Sequence, residues 1–125
     1  MTWSVKGRCS VTNGRNFFEP TIVEVLDDNS EEVTLMMWNR CTENYYISVS
    51  YSYDGGVTWT SQTEFIPTNT MYSGPSSRSN SLAFTHNGVN YIAYLQHYNT
   101  TSRNNIAIFL SNDGGKTFPY ALILD

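Results

Sequence analysis

Charge is scarce in this sequence. Asp, Glu, Lys and Arg make up 14% of its 125 residues, against roughly a quarter in an ordinary soluble protein. What charge there is leans acidic, with 7 basic against 11 acidic side chains and a net of -4. Nucleic-acid binding through a basic stripe is therefore not expected. Long apolar runs are missing too, so no segment approaches the roughly 18 residues of a membrane-spanning helix. The first nine residues carry no apolar signal stretch. Two arrangements fit that start, a cytosolic chain or one preceded by a further segment. Cysteine is limited to Cys9 and Cys41, and histidine to His86 and His97. Neither pair has metal-ligand spacing, so no metal and no cofactor are expected, and two thiols are preferred to a disulfide. A single Asn99-Thr100-Thr101 sequon carries little weight.

Aromatic residues are abundant by contrast, at 14% with nine Tyr, and hydrophobic residues reach 40%, enough for one packed core. The chain also repeats itself. Ser52-Tyr53-Asp54-Gly55-Gly56-Val57-Thr58-Trp59 returns as Ser111-Asn112-Asp113-Gly114-Gly115-Lys116-Thr117-Phe118, at an offset of 59. Each octapeptide follows an alternating apolar run, Tyr45 to Tyr51 in one case and Ile106 to Leu110 in the other. The turn at Asp28-Asn29 returns in the same register as Asn87-Gly88, and Thr2-Trp3 echoes Thr58-Trp59.

Period-two alternation predicts strands throughout. The first unit gives Thr21 to Leu26, Val33 to Trp38, Tyr45 to Tyr51 and Ser61 to Ile66. The second gives Ser81 to Thr85, Asn90 to Leu95, Ile106 to Leu110 and Tyr120 to Leu124. Trp3 to Val11 reads as an extra N-terminal strand. The expected fold class is all-β, with two four-stranded antiparallel units of β-propeller type. The expected divisions are 1–15 for the N-terminal strand, 16–68 for the first blade and 69–125 for the second.

The two octapeptides resemble the Asp-box, or BNR repeat, of sialidases and related propeller proteins. The resemblance extends to Asn16 to Val25, to Arg40 and to Phe118 to Asp125, and so covers nearly the whole chain. Within each box, Ser52, Asp54, Gly56, Thr58 and Trp59, and likewise Ser111, Asp113, Gly115, Thr117 and Phe118, are expected to be structural. The Asp accepts hydrogen bonds from its own turn, the glycine supplies positive φ, and the aromatic residue buries the turn. Chemistry is not expected of them.

In an up-and-down blade the Asp-box turns lie at one end of the sheet, and the starts of the first strands lie at the other. Repeat register then gathers Glu19, Arg40, Arg78, His97 and Arg103 at that second end. Arg forks suit a carboxylate, and Tyr46 and Tyr98 are the surface rings best placed to stack on a sugar. Sialidases use an arginine triad, a Tyr–Glu nucleophile pair and an Asp acid/base. The resemblance implies that Glu19 matches the Glu and Arg40 one triad arginine, with Arg78 a looser match. No counterpart of the first-blade arginine or the acid/base Asp is found, and no Tyr is placed as nucleophile. A plain ion pair bracing two strands is the alternative for Glu19 and Arg40, and solvated loop positions are the alternative for the others.

Two blades cannot close a ring. Three routes are open: association of the chain with itself, three copies making six blades; membership of a longer protein; or a different β packing. The functional expectation is glycan binding on a glycosidase ancestry with incomplete catalytic machinery. A glycoside hydrolase of the exo-sialidase class and a module without ligand are the alternatives.

Overall fold

The computed structural model describes residues 2, 4–5, 17–25, 34–41, 47–65, 77–99 and 102–124. Eight strands run in chain order: β1 (Phe17–Val25), β2 (Thr34–Cys41), β3 (Ile47–Ser52), β4 (Thr63–Glu64), β5 (Asn80–His86), β6 (Val89–His97), β7 (Ile106–Ser111) and β8 (Tyr120–Leu124). They form two four-stranded antiparallel sheets, ordered β1-β2-β3-β4 and β5-β6-β7-β8. The expected N-terminal strand over Trp3 to Val11 lies almost wholly outside the described residues, as does the Asp28-Asn29 turn. Cys41 is buried in β2, and Cys9 lies outside the described residues.

All eight strands expected after residue 16 are present, with shifted ends. β4 shrinks to two residues, held to β3 at Ser48 and Val49. β2 and β6 run further than expected, because Arg40 still pairs with Ile47 and His97 with Ile106. Arg40, Gln96 and His97 are thus strand residues, beyond the expected strand ends at Trp38 and Leu95. The β5–β6 hairpin turns through Asn87 and Gly88, at φ 50° and 77°. Two consecutive positive φ values suit a two-residue turn whose twist matches that of the strands.

Alternation decides what lies between the sheets. Val23 and Val25 of β1, Met36 and Trp38 of β2, and Ile47 and Val49 of β3 face one way. They meet Ile92 and Tyr94 of β6, Ala107 and Phe109 of β7, and Phe118. Trp38, Tyr94, Phe109 and Phe118 are fully buried, each contributing about 2–3 kcal/mol through the area removed from water. The rings of Trp38, Tyr94 and Phe118 pack edge-on or tilted, with Trp38 and Tyr94 centroids 5.1 Å apart. β1 and β5 lie side by side, and Thr21 Oγ1 stands 2.6 Å from Ser81 Oγ across them. One end of both sheets is fixed by this pairing.

Candidate functional site

Glu19 sits in β1 where the register with β2 slips between Phe18 and Thr21. Its φ is 49°, in the left-handed region that a side chain with a Cβ seldom occupies. Such a bulge re-aims a side chain out of the sheet's alternation. Arg40, opposite Phe18 on β2, donates from Nη1 to Glu19 Oε2 at 2.9 Å. With the Arg40 and Glu19 side chains 25% and 41% exposed, the pair contributes no more than about 1 kcal/mol. A left-handed residue with a Cβ costs about 1–2 kcal/mol, so the ion pair alone does not offset the strain.

The second pair of expected residues comes together nearby. Exposed Arg78 precedes β5, and half-buried His97 ends β6. With Ser79, Asn80, Gln96 and Ile106 they line a shallow cavity of about 220 Å³. His97 Nδ1 lies 3.3 Å from the Asn104 carbonyl oxygen, and the Tyr98 amide donates to the Asn105 carbonyl at 2.6 Å. Those bonds close the β6–β7 connection that carries exposed Arg103. Thr21 contacts both Asn80 and Ser81, so Glu19 and Arg78, each two residues upstream of a linked position, lie at the same end.

Two expected sugar-stacking rings fare differently. Tyr98 is half-buried, its ring 5.9 Å from that of Phe109 and packed against the core. Tyr46 lies outside the described residues. Sequence reasoning missed Ser79, a buried polar residue on the cavity wall, and did not foresee that Gln96 would be another. Gln96 follows from strand pairing that runs past the last apolar residue, a signal that composition does not carry.

The Asp-boxes occupy the opposite end. Ser52 Oγ donates to Asp54 Oδ1 at 2.9 Å and accepts from the Gly56 amide at 2.8 Å. Thr58 donates to the same carboxylate twice, from its amide to Oδ1 at 2.8 Å and from its hydroxyl to Oδ2 at 2.5 Å. Ser111, Asp113, Gly115 and Thr117 repeat the set. These bonds, the Thr58 hydroxyl first, pull the Asp54 pKa down to about 2. For Asp113 burial works the other way, but the Thr117 and Ser111 bonds outweigh it and the pKa is also lowered. Both carboxylates are consumed by their own turns. Gly56 and Gly115 have φ of 89° and 82°. Trp59 Nε1 donates to the Gly56 carbonyl, whereas Phe118 is buried between the sheets.

A groove of about 340 Å³ between β1 and β5 also opens toward this end, near Val25 and Gly114. It holds none of the residues expected to bind. Among the described residues no cluster of His, Cys, Asp and Glu has the makings of a metal site, and no helix is long and apolar enough to cross a membrane.

Comparison with known families decides what these paired sheets are. A family profile, the BNR repeat-like domain, matches residues 2–125. The chain belongs to the BNR repeat-like family. Solved structures agree. The chain is similar to the Hadza microbial sialidase Hz136, at 28% identity and a TM-score of 0.70 over 88% of this chain and 21% of that one. It also resembles the intramolecular trans-sialidase from Ruminococcus gnavus, solved with oseltamivir carboxylate, at 21% identity and a TM-score of 0.65. That match covers 86% of this chain and 23% of the trans-sialidase. This BNR-repeat chain therefore spans about a fifth of the length of those sialidases. No curated protein matches it in sequence.

Proposed function

We propose that the chain supplies two blades of a sialidase-type β-propeller and binds the acidic sugar of a glycan at the end holding Glu19, Arg40, Arg78, His97 and Arg103. The Glu19–Arg40 pair carries this reading: a half-buried guanidinium, oriented at 2.9 Å by a carboxylate on a bulge. A planar guanidinium recognises a sugar carboxylate with a geometry that an ammonium cannot reproduce. Three arginines at one end of a chain with only 7 basic residues favour an anionic ligand over a neutral one. Ser79 and Gln96 are buried polar residues on the wall of the cavity beside Arg78 and His97.

Hydrolysis is the second reading, favoured by the strained backbone of Glu19 and by the likeness to sialidases. It needs an acid/base carboxylate, and both Asp-box carboxylates are committed elsewhere. Binding without turnover is the expected behaviour of the chain by itself. Titration with 3′-sialyllactose and with lactose tests this directly. Binding of the first alone, lost in Arg40→Ala, supports the proposal. Equal binding of both, or of neither by folded protein, contradicts it. Turnover of a fluorogenic sialoside, abolished by Glu19→Gln, would move the assignment to a hydrolase.

A further inference from the structure

Three turns among the described residues place a glycine directly after Asp or Asn: Asp54-Gly55, Asn87-Gly88 and Asp113-Gly114. In each, the glycine amide nitrogen can close a five-membered ring on the side-chain carbonyl carbon of the residue before it. A glycine favours that closure because no Cβ crowds its nitrogen. The other described asparagines, such as Asn80, Asn99 and Asn112, precede residues that carry a Cβ. Asn13-Gly14 repeats the dipeptide and lies outside the described residues.

The two Asp-boxes close this route. Ser52 and Thr58 hold the Asp54 carboxylate, and Ser111 and Thr117 hold that of Asp113. Those bonds keep both groups ionised at neutral pH, and an ionised carboxylate offers no leaving group. Asn87 differs on each count. Its side chain is a neutral amide, and its Nδ2 lies 3.2 Å from His86 Nε2, a contact in which the amide donates and the imidazole accepts. Every residue from His86 to Val89 is exposed, and a Cβ built on Gly88 would meet nothing within 4 Å. The closed turn holds Asn87 at φ 50°, and ring closure needs rotation about its Cα–C bond. The exposed His86–Val89 pair is all that closes the turn, and such a hairpin end opens locally without unfolding the sheet.

We infer that Asn87 is a site of spontaneous deamidation, with His86 serving the departing nitrogen. The Gly88 nitrogen loses its proton to solvent and bonds to Asn87 Cγ. The Cγ–Nδ2 bond breaks, the nitrogen takes up a proton relayed by the exposed His86 imidazole, and ammonia leaves. Water then adds to the cyclic imide and opens it at either carbonyl. The residue ends as aspartate, or as isoaspartate with the main chain running through its side-chain carbon. Nothing is oxidised or reduced, and water is the one co-reactant. Aspartate suits the turn and adds a negative charge. Isoaspartate adds a backbone atom to a two-residue turn, so the pairing of His86 with Val89 and the 2.7 Å bond from Thr85 Oγ1 to Asn90 Oδ1 lose their register. Thr85 and Asn90 also line the groove of about 340 Å³, so the modification reshapes that groove and leaves the Glu19–Arg40 end untouched.

The test incubates the full chain, folded, at mildly alkaline pH. Peptide mapping by mass spectrometry then locates amide-to-acid conversion, and an isoaspartyl methyltransferase labels isoaspartate. We expect both signals on the peptide holding Asn87, ahead of every other described asparagine, with Asp54 and Asp113 unlabelled. Asn87→Gly suits the positive φ of the turn, so it should keep the β circular dichroism and lose both signals. His86→Leu should slow the conversion several-fold, and an unchanged rate would overturn the role given to the imidazole. No conversion at Asn87 in the folded chain, over a period in which the urea-unfolded chain converts there, would overturn the site itself. So would label confined to Asn13 or to the Asp-boxes. The inference stands apart from glycan binding, which sialyllactose titration reads at the other end of the sheets.

Discussion

The hydroxyl oxygens of Thr21 and Ser81 lie 2.6 Å apart, joining strands 60 residues distant in sequence. This bond ties β1 to β5 two residues beyond Glu19, where the first sheet's candidate ligands meet those of the second. Thr21 is buried, so removing one partner strands a polar atom. In a double-mutant cycle of Thr21→Val and Ser81→Ala, we expect a coupling of about 1 kcal/mol. Urea unfolding of the four proteins measures it.

Gly115 and Gly55 both have positive φ, but their surroundings differ. A Cβ at Gly55 meets open space, and one at Gly115 meets Met36 and Ile92. Gly55→Ala should cost about 1–2 kcal/mol from backbone strain alone. Gly115→Ala should cost about 2–4 kcal/mol, because overpacking adds to that strain. Paired thermal melts give the comparison, and equal losses would mean that the second box does not lock the sheets.

Acid should unfold the chain partly through its boxes. The Asp54 pKa is about 2 in the fold, below its ordinary value near 4, so its hydrogen bonds stabilise the charged form. That contribution is complete above the unfolded pKa and is lost as pH falls from about 4 through about 2. Asp113 shifts in the same direction. Melting temperature should therefore fall over this window in the parent and less steeply in Asp54→Asn, which starts lower at neutral pH.

Most of the fold was legible because apolar runs and turns recur at an offset of 59 and the Asp-boxes fix their register. Eight strands and the box hydrogen bonds follow from Tyr51-Ser52 and Leu110-Ser111 leading into Asp-Gly-Gly turns. The ends of strands were less legible. Arg40 and His97 look like loop residues because charge and imidazole interrupt an apolar run, yet each continues its ladder through backbone bonds that any side chain allows. The packing of Tyr98 was less legible for a related reason. Alternation beyond Leu95 says which side a ring takes, and only the fold shows Phe109 beneath it. The left-handed Glu19 precedes Pro20, a position biased toward extended backbone, so nothing local announces it.

That strain gives its own prediction. Glu19→Gly removes a left-handed side chain and an ion pair of at most about 1 kcal/mol, so melting temperature should hold or rise. Sialyllactose binding should be lost in the same variant. A fold that weakens sharply on Glu19→Gly would make the residue a structural brace and not a ligand.

The most direct test of the central claim is to map chemical-shift changes by NMR as 3′-sialyllactose is added to the full chain. The account predicts shifts at Thr21, Arg40, Ser79, Gln96 and His97, with the Asp-box amides of Gly56, Thr58, Gly115 and Thr117 unmoved. Shifts centred on the Asp-box end, or none in folded protein, would contradict it.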